Sequence, residues 1–290
     1  MSELFNTFWH GRSLSPLELT CMRSFIAHGH RLRVFSYDEL ALPAGVENAD
    51  ARRILPAERF FTFEDSPSAF TNIFRYRMLL EQGGWWIDTD VLCRTADIPA
   101  CDYYWAEQEP GQVNGAVIRF PPSDALCRRL LQEGERRADR LSFWGQLGPA
   151  LLTEVLPEAP PAGHAGSTND VYPIHWLQTH FFWLPEFASV VESRTRQSTF
   201  VHLWHSLFGK MGIDVHARPP EGSYLDSQYT LYGGAEPSSG EPPDRDAVIR
   251  FLRHKWVPKT WCDKCGRDME ELGISEMLAS MGQTPGTKHV

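Results

Sequence analysis

The stretch EQGGWWIDTDVL at residues 81–92 constrains the fold more than any other part of the sequence. Gly83 and Gly84 end the preceding amphipathic helix, because glycine readily adopts the left-handed conformation that closes a helix. The three large apolar residues that follow predict a short buried strand. That strand leads into Asp88 and Asp90, which strand alternation points the same way. Two like charges side by side are costly unless water, a cation or donor groups accept them.

The N-terminal residues alternate between strand and helix patterns. Residues 4–9 predict a strand, and SPLE at residues 15–18 predicts a helix start, with Ser15 as N-cap, proline at the first position and Glu18 at the third. Gly29 ends this helix, and residues 31–37 alternate like a second strand. This order favours an α/β sandwich with parallel strands.

The rest of the chain gives weaker patterns. Residues 38–66 have no strong period, and the Ser-Pro at residues 66–67 predicts a helix that runs to about residue 82. Further predictions are strands near 103–106 and 116–120, helices near 123–138 and 145–156, a loop over 157–170, short aromatic strands and turns over 171–204, an irregular stretch over 217–247 and a helix around 246–255.

Composition excludes some classes of function. With 42% hydrophobic residues, a chain of 290 residues can bury a large core. Its formal net charge of −9 argues against nucleic-acid binding, which usually needs a basic face. Nucleotide binding stays open, because one metal ion and one or two arginines offset a diphosphate.

The six cysteines fit buried free thiols in a reducing compartment. Cys262 and Cys265 form a CxxC, but a structural zinc site needs two more ligands and no second CxxC exists. His254 and His289 are the candidates for the two missing zinc ligands.

The N-terminus lacks the basic and apolar regions of a signal peptide, and no run of about 18 apolar residues exists. We therefore expect a soluble cytoplasmic protein without a transmembrane segment, and peripheral association with the inner face of a membrane stays open.

The sequence contains two Asp-x-Asp triplets. The one at residues 244–246 lies in a polar, proline-rich stretch at a predicted helix start, where carboxylates cap backbone N–H groups. Asp88 and Asp90 instead emerge at the C-terminal end of a buried strand, the edge where open α/β sheets bind ligands. Two carboxylates there suit Mg²⁺ or Mn²⁺, which bridges a diphosphate and stabilises charge on a leaving nucleotide. The structural alternative is a solvated turn.

Residues 70–91, FTNIFRYRMLLEQGGWWIDTDV, resemble the signature of DXD-containing glycosyltransferases of the sugar-binding-region family. The Arg-Tyr pair, the Gly-Gly pair and the Asp-x-Asp triplet match in order and spacing. This family is related to bacterial capsular and lipopolysaccharide glycosyltransferases, α-1,6-mannosyltransferases and α-1,4-galactosyltransferases. The resemblance implies a GT-A-like (Rossmann-like) α/β fold with a mixed, mainly parallel sheet flanked by helices.

The resemblance also implies the metal and catalytic residues. Asp90 would bind the metal directly, and Asp88 would contact the ribose or a metal-bound water. The segment VHLWHSLF at residues 201–208 resembles the late motif in which His202 completes the metal shell, with His205 as the alternative ligand. The catalytic set is Asp88, Asp90 and Arg75.

The nucleotide-sugar donor would be held by a further set of side chains, namely Trp9 at the base, Arg75 at the diphosphate or sugar, Asp88 at the ribose, Asn72 and Asn114 near the donor sugar and Trp204 beside the pyrophosphate. Asn72 is a departure, because the family usually has Asp three residues before the Arg. An amide both donates and accepts hydrogen bonds, whereas a carboxylate only accepts, so donor-sugar preference and activity are open. Structural alternatives are a solvent-exposed Arg75, a packed His202 and a core Trp9.

The leading hypothesis is a metal-dependent glycosyltransferase, retaining by resemblance, that uses Mn²⁺ or Mg²⁺ and moves a sugar from a UDP-sugar to a glycan, glycolipid or other hydroxyl acceptor. Residues 1–215 would form the GT-A catalytic domain, and residues 216–290 an extension of irregular structure and short helices. One alternative is a non-catalytic or weakly active nucleotide-sugar-binding protein. Another is a sugar-nucleotide pyrophosphorylase, which predicts a glycine-rich, basic N-terminal loop that FWHGRSLSP lacks.

Overall fold

The computed structural model describes residues 2–156 and 161–233. They contain one sheet of seven strands and one of two. The strands are β1 (Leu4–Trp9), β2 (Arg31–Ser36), β3 (Val46–Asp50), β4 (Gly84–Ile87), β5 (Val91–Cys93), β6 (Tyr103–Glu109), β7 (Gln112–Phe120), β8 (His164–Ala165) and β9 (Phe200–His202). The α-helices are α1 (Pro16–Ala27), α2 (Ser68–Gln82), α3 (Ala125–Arg137), α4 (Pro149–Val155), α5 (Thr168–Val171), α6 (Ala188–Thr195), α7 (His205–Lys210) and α8 (Tyr224–Tyr232).

The larger sheet has the order β3-β2-β1-β4-β7-β6-β8. The pairings β1/β2, β1/β4, β2/β3 and β6/β8 are parallel. The pairings β4/β7 and β6/β7 are antiparallel. The sheet is therefore mixed and mainly parallel, as predicted. It places β4, the strand that ends before the Asp-x-Asp triplet, in the middle of the sheet.

Two hydrophobic cores cover the two faces of this sheet. Neighbouring residues Trp85 and Trp86 on β4 belong to different cores and are both fully buried. Phe25 of α1 packs in the core of Trp85, and Phe74 of α2 packs in the core of Trp86. Helices therefore flank the sheet on both sides, which confirms the predicted class.

Local signals at the predicted helix ends are confirmed. Ser15 and Glu18 form a capping box at the start of α1. The Glu18 carboxylate accepts a hydrogen bond from the backbone N–H of Ser15, and the Ser15 hydroxyl accepts one from the backbone N–H of Glu18. Gly83 and Gly84, with φ of +65° and +84°, end α2 and start β4. A Cβ at Gly83 would also lie 2.6 Å from the ring of Pro122, so glycine is required there for space as well as conformation.

The prediction of short aromatic strands over residues 171–204 is largely wrong. Besides the brief α5 the segment forms 3₁₀ helices at Trp176–Phe182 and Pro185–Phe187 and the helix α6, and only β9 is a strand. Its aromatic residues are buried without strand pairing, because the strand preference of aromatic residues reflects burial more than the backbone. Residues 38–66 contain the strand β3 and two 3₁₀ helices, and the predicted loop 157–170 contains the short β8 and the start of α5.

Several predictions lie outside the described residues. They are the triplet at residues 244–246, the helix around 246–255 and the CxxC of Cys262 and Cys265. Within residues 2–156 and 161–233, none of the helices combines the length and the apolar character that crossing a membrane requires. Cys21, Cys93 and Cys127 are buried free thiols, as predicted.

Candidate active site

The Asp-x-Asp triplet occupies the turn between β4 and β5. β4 pairs with β7, and the backbone N–H of Asp88 donates to the carbonyl of Ala116 at 2.7 Å. β5 then leaves the main sheet and pairs with β9. In this pairing Val91 of β5 lies opposite His202 of β9. This pairing, together with the 2.9 Å hydrogen bond from Leu203 N to Asp90 O, brings the late segment of the chain to the triplet.

Asp88, Asp90 and His202 converge into one group. Each offers a ligand atom, and these three atoms all lie within 4.8 Å of one another. His202 Nε2 lies 3.2 Å from Asp90 Oδ2. Burial by itself raises the pKa of Asp90, but the neighbouring His202 and His205 outweigh it and hold this pKa well below its usual value. Asp90 is therefore ionised, and two carboxylates with one imidazole fit a hard divalent cation such as Mn²⁺ or Mg²⁺.

Arg75 extends from α2 to the triplet and is buried. Its Nη2 donates to Asp88 Oδ1 at 2.6 Å, and its Nη1 donates to Asn72 Oδ1 at 2.9 Å. Trp86 Nε1 donates to the same Asp88 oxygen at 2.9 Å, while the guanidinium carbon lies 5.1 Å from the Trp86 ring centre. Asp88 Oδ1 is thus occupied by two donors, which leaves Oδ2 as the oxygen that can face a cation.

Asn72 and Asn114 have defined hydrogen bonds. Asn72 Nδ2 donates to the carbonyl of Ser68, one turn earlier in α2, at 2.8 Å. Asn72 Oδ1 accepts from Arg75. Asn114 Nδ2 donates to Gln108 Oε1 at 2.5 Å, and Asn114 Oδ1 accepts from Ala116 N at 2.9 Å. Both side chains are fixed in place rather than loosely exposed.

The two predicted tryptophans differ in their surroundings. Trp9 ends β1, is half-buried, and donates from Nε1 to the Ser13 carbonyl at 3.0 Å. Trp204 is buried, donates from Nε1 to the Ile174 carbonyl at 2.9 Å and packs on His202 with ring centres 4.2 Å apart. Trp204 has a φ of +61°, a conformation that is uncommon for non-glycine residues and concentrates at functional sites.

One cavity of about 680 Å³ connects all of these side chains. The predicted residues that line it are Trp9, Asn72, Arg75, Asp88, Asp90, Asn114, His202 and Trp204. His205, the predicted alternative ligand, also lines the cavity and donates from its backbone N–H to Asp90 Oδ2 at 2.8 Å. The structure therefore brings every candidate site residue to a single place, while their roles stay proposals.

Further residues at the site, some lining the cavity and one buried beside His205, were missed from the sequence. Glu18, fully buried, uses one oxygen in the α1 capping box and places the other 2.7 Å from His205 Nδ1. The sequence identifies only the capping role. Gln108, Gln112 and Trp144 also line the cavity, and they lie in segments without a motif. Of the two glutamates on β6, Glu109 lines the cavity, whereas Glu107 is exposed and does not line it.

No model of a protein family matches the sequence, and no curated protein sequence matches it either. Solved structures of low similarity include the PaToxG glycosyltransferase, at 12% identity and a TM-score of 0.42 over 53% of this chain and 67% of that one. The glycosyltransferase GlyE of Streptococcus pneumoniae TIGR4 is 11% identical, with a TM-score of 0.43 over 88% of this chain and 64% of that one. The galactosyltransferase LgtC, solved with donor and acceptor sugar analogs, is 11% identical, with a TM-score of 0.37 over 70% and 86%.

This chain accordingly spans just under two thirds of the length of the GlyE structure. All three similar structures are described as glycosyltransferases. At these identities and TM-scores, the activity has to be argued from the chain's own residues.

Proposed function

We propose that this chain is a metal-dependent glycosyltransferase that moves a sugar from a nucleotide-sugar donor, a UDP-sugar, to a hydroxyl group of a glycan, glycolipid or other acceptor. One observation carries the proposal. The ligand atoms of Asp88, Asp90 and His202 lie within 4.8 Å of one another on the wall of a cavity of about 680 Å³ that also contains Arg75. Residues 1–215 would form the catalytic domain and residues 216–290 its extension.

The donor set supports a divalent cation. Its oxygen and imidazole ligands come from β4–β5 and β9 and are fixed by backbone hydrogen bonds. Mn²⁺ or Mg²⁺ held by Asp88, Asp90 and His202 would stabilise the negative charge that develops on a leaving nucleoside diphosphate.

The remaining side chains would bind and orient the donor. Arg75 offers a cation beside Asp88 and suits the diphosphate, because guanidinium binds phosphate oxygens in a bidentate manner. Trp9 and Trp204 line the cavity as flat apolar surfaces for the base and the pyrophosphate edge. Asn72 and Asn114 supply amides for sugar hydroxyls. Retention of the anomeric configuration is part of the proposal because the resemblance of residues 70–91 implies it.

The non-catalytic alternative rests on Asn72 in place of the family's aspartate. In this structure the amide oxygen of Asn72 still accepts from Arg75 at 2.9 Å. An oxygen acceptor at this position is thus retained, and Arg75 stays aimed at Asp88. This geometry favours an active site over a decayed one, and turnover is the deciding measurement.

The test is UDP release from a panel of UDP-sugars, with Mn²⁺ or with EDTA. We expect release from at least one sugar nucleotide with Mn²⁺ and none with EDTA. Asp90→Asn should abolish it, whereas the control Asp97→Asn, at an exposed aspartate outside the cavity, should not. If UDP binds but no UDP-sugar is turned over, the chain is the non-catalytic binding protein, and the enzymatic proposal is wrong. The cytoplasmic location and the peripheral association with the inner face of a membrane are still predictions, and cell fractionation is the measurement that tests them.

A further inference from the structure

The Asp-x-Asp turn divides the cavity into two flanks because of the strand order. β1, which ends at Trp9, lies beside β4 on one flank. β7 and then β6 lie on the other. The tip of the β6–β7 hairpin contributes Gln108, Glu109 and Gln112 to the cavity, and we call these three residues the hairpin wall. Asn114 of β7, which we assign to the donor sugar, adjoins the hairpin wall through its hydrogen bond to Gln108. Strands are spaced by about 4.8 Å, so the hairpin wall lies roughly 5–10 Å from β4, away from Trp9.

A chain of amides runs along the hairpin wall. Asn114 Nδ2 donates to Gln108 Oε1, and Gln108 Nε2 donates to Gln112 Oε1. Within the described part of the chain, Gln112 Nε2 is the end of this series and has no hydrogen-bond acceptor. Amides donate and accept, as sugar hydroxyls do. The series therefore offers a donor to an incoming hydroxyl group at its open end.

The charged groups near this flank already have partners in the protein. Glu109 is 1% exposed, and its Oε2 accepts from His175 Nε2 at 3.0 Å and from Trp176 Nε1 at 3.4 Å. Lys210 Nζ lies over the ring of Trp144, 5.6 Å from its centre. With Glu109 held by His175 and Trp176, the partly exposed polar side chain of the hairpin wall is Gln112. Its uncharged amide suits an uncharged ligand.

Exposed aromatic rings also line the cavity. Among the described residues, four large hydrophobic side chains are exposed, and two of them, Phe143 at 43% and Trp144 at 46%, line this cavity. Exposed apolar surface at a concave site is typical of ligand binding. The flat ring of Trp144 offers a stacking surface for a pyranose ring.

We propose that the hairpin wall, together with Phe143 and Trp144, is the acceptor subsite and that it takes an uncharged saccharide. A sugar ring stacks on Trp144, and a hydroxyl group accepts from Gln112 Nε2. This inference rests on the proposed function, because it assigns the flank opposite Trp9 to the acceptor.

The experiment measures UDP release from the UDP-sugar that the protein uses, with Mn²⁺ and added acceptors. The neutral disaccharides lactose, maltose and cellobiose are compared with the charged sugars glucuronate and glucose 6-phosphate. We expect a neutral saccharide to accelerate UDP release and the charged sugars not to. Trp144→Ala and Gln112→Ala should each raise the acceptor KM about tenfold and change the donor KM by less than about twofold.

The control is Leu231→Ala, which removes the fourth exposed hydrophobic side chain, 64% exposed on α8 and outside the cavity. It should leave both KM values unchanged. The inference is overturned if the charged sugars are the better acceptors, or if the two cavity variants alter the donor KM as much as the acceptor KM.

Failure of the inference can be separated from failure of the proposed function. If the parent turns over a UDP-sugar with water but no neutral saccharide accelerates the reaction, only the acceptor assignment is wrong. If no UDP-sugar is turned over, the proposed enzyme is wrong. Binding of the same disaccharides is then measured by saturation-transfer NMR, where loss of binding in Trp144→Ala supports the saccharide subsite and absence of binding to the parent overturns it.

Discussion

Arg75 Nη2 lies 2.6 Å from Asp88 Oδ1, and this pair joins α2 to the turn after β4. The neighbouring acid, Asp90, is paired instead with His202 at 3.2 Å. The two carboxylates of the triplet therefore have different cationic or donor partners. This arrangement explains how the fold accepts two acids one residue apart.

Asp88→Asn should destabilise the protein by about 3 kcal/mol, because the buried guanidinium of Arg75 loses its anionic partner. The measurement is urea unfolding in EDTA. The matched control is Glu47→Gln, which removes the exposed partner of Arg33 at 2.9 Å and should change the free energy of unfolding much less. If the two variants lost similar amounts of unfolding free energy, the buried Arg75–Asp88 pair would contribute no more than an exposed ion pair, contrary to this prediction.

Gly115→Ala should disturb the site through Arg75. A Cβ at Gly115 would overlap Arg75 Nη1 and lie 3.0 Å from Leu152 Cδ1. The guanidinium must then move from Asp88, so we expect both a loss of stability and a weaker response to UDP with Mn²⁺. Gly134→Ala in α3 is the control, because its new Cβ would make ordinary contacts of 3.7–3.8 Å. It should stabilise the protein by about 0.5–1 kcal/mol. An unchanged nucleotide response in Gly115→Ala would contradict the role given to Arg75.

Asn72→Asp should change the use of the donor sugar more than nucleotide binding. The aspartate would keep an acceptor for Arg75 but would lose the donor that Asn72 gives to the Ser68 carbonyl. We expect Mn²⁺-dependent UDP binding to persist and the ranking of UDP-sugars by kcat/KM to change. An identical ranking in parent and variant would remove Asn72 from donor-sugar recognition.

His180 should make the fold sensitive to acid. Burial lowers its pKa from 6.5 to about 3, so the folded protein keeps it neutral while the unfolded chain binds a proton below about pH 6.5. The stability that this group contributes is present above that pH and is lost as the pH falls, by up to about 1.4 kcal/mol per pH unit. His180→Gln cannot titrate, so the difference in unfolding free energy between parent and variant should shrink from about pH 7.5 to about pH 5. Parallel stability curves would contradict this.

The parts of the fold that depend on neighbouring residues are predictable from the sequence. The capping box of Ser15 and Glu18 and the paired glycines at residues 83–84 fix the ends of α1 and α2. Contacts between distant segments are less predictable. The pairing of Val91 with His202 brings His202 to Asp88 and Asp90, the candidate metal ligands. Only the resemblance indicated this proximity.

Other distant contacts left no signal at all. Glu18 of α1 lies 2.7 Å from His205 at the start of α7, and periodicity within one helix does not encode the partner of another. The role of Trp144 is equally hard to predict from the sequence, since a tryptophan in a loop is more often part of a core than of a binding surface. Its 46% exposure at the cavity becomes visible only in three dimensions.

The most direct test of the central claim is the thermal shift caused by UDP, measured with Mn²⁺ and with EDTA on the parent and on Asp90→Asn. We predict that UDP at about one hundred times its Kd raises the Tm of the parent by about 5 °C with Mn²⁺. It should cause no shift in EDTA and none in Asp90→Asn. An equal shift without metal, or a variant that responds like the parent, would contradict a metal-bridged diphosphate site at Asp88, Asp90 and His202.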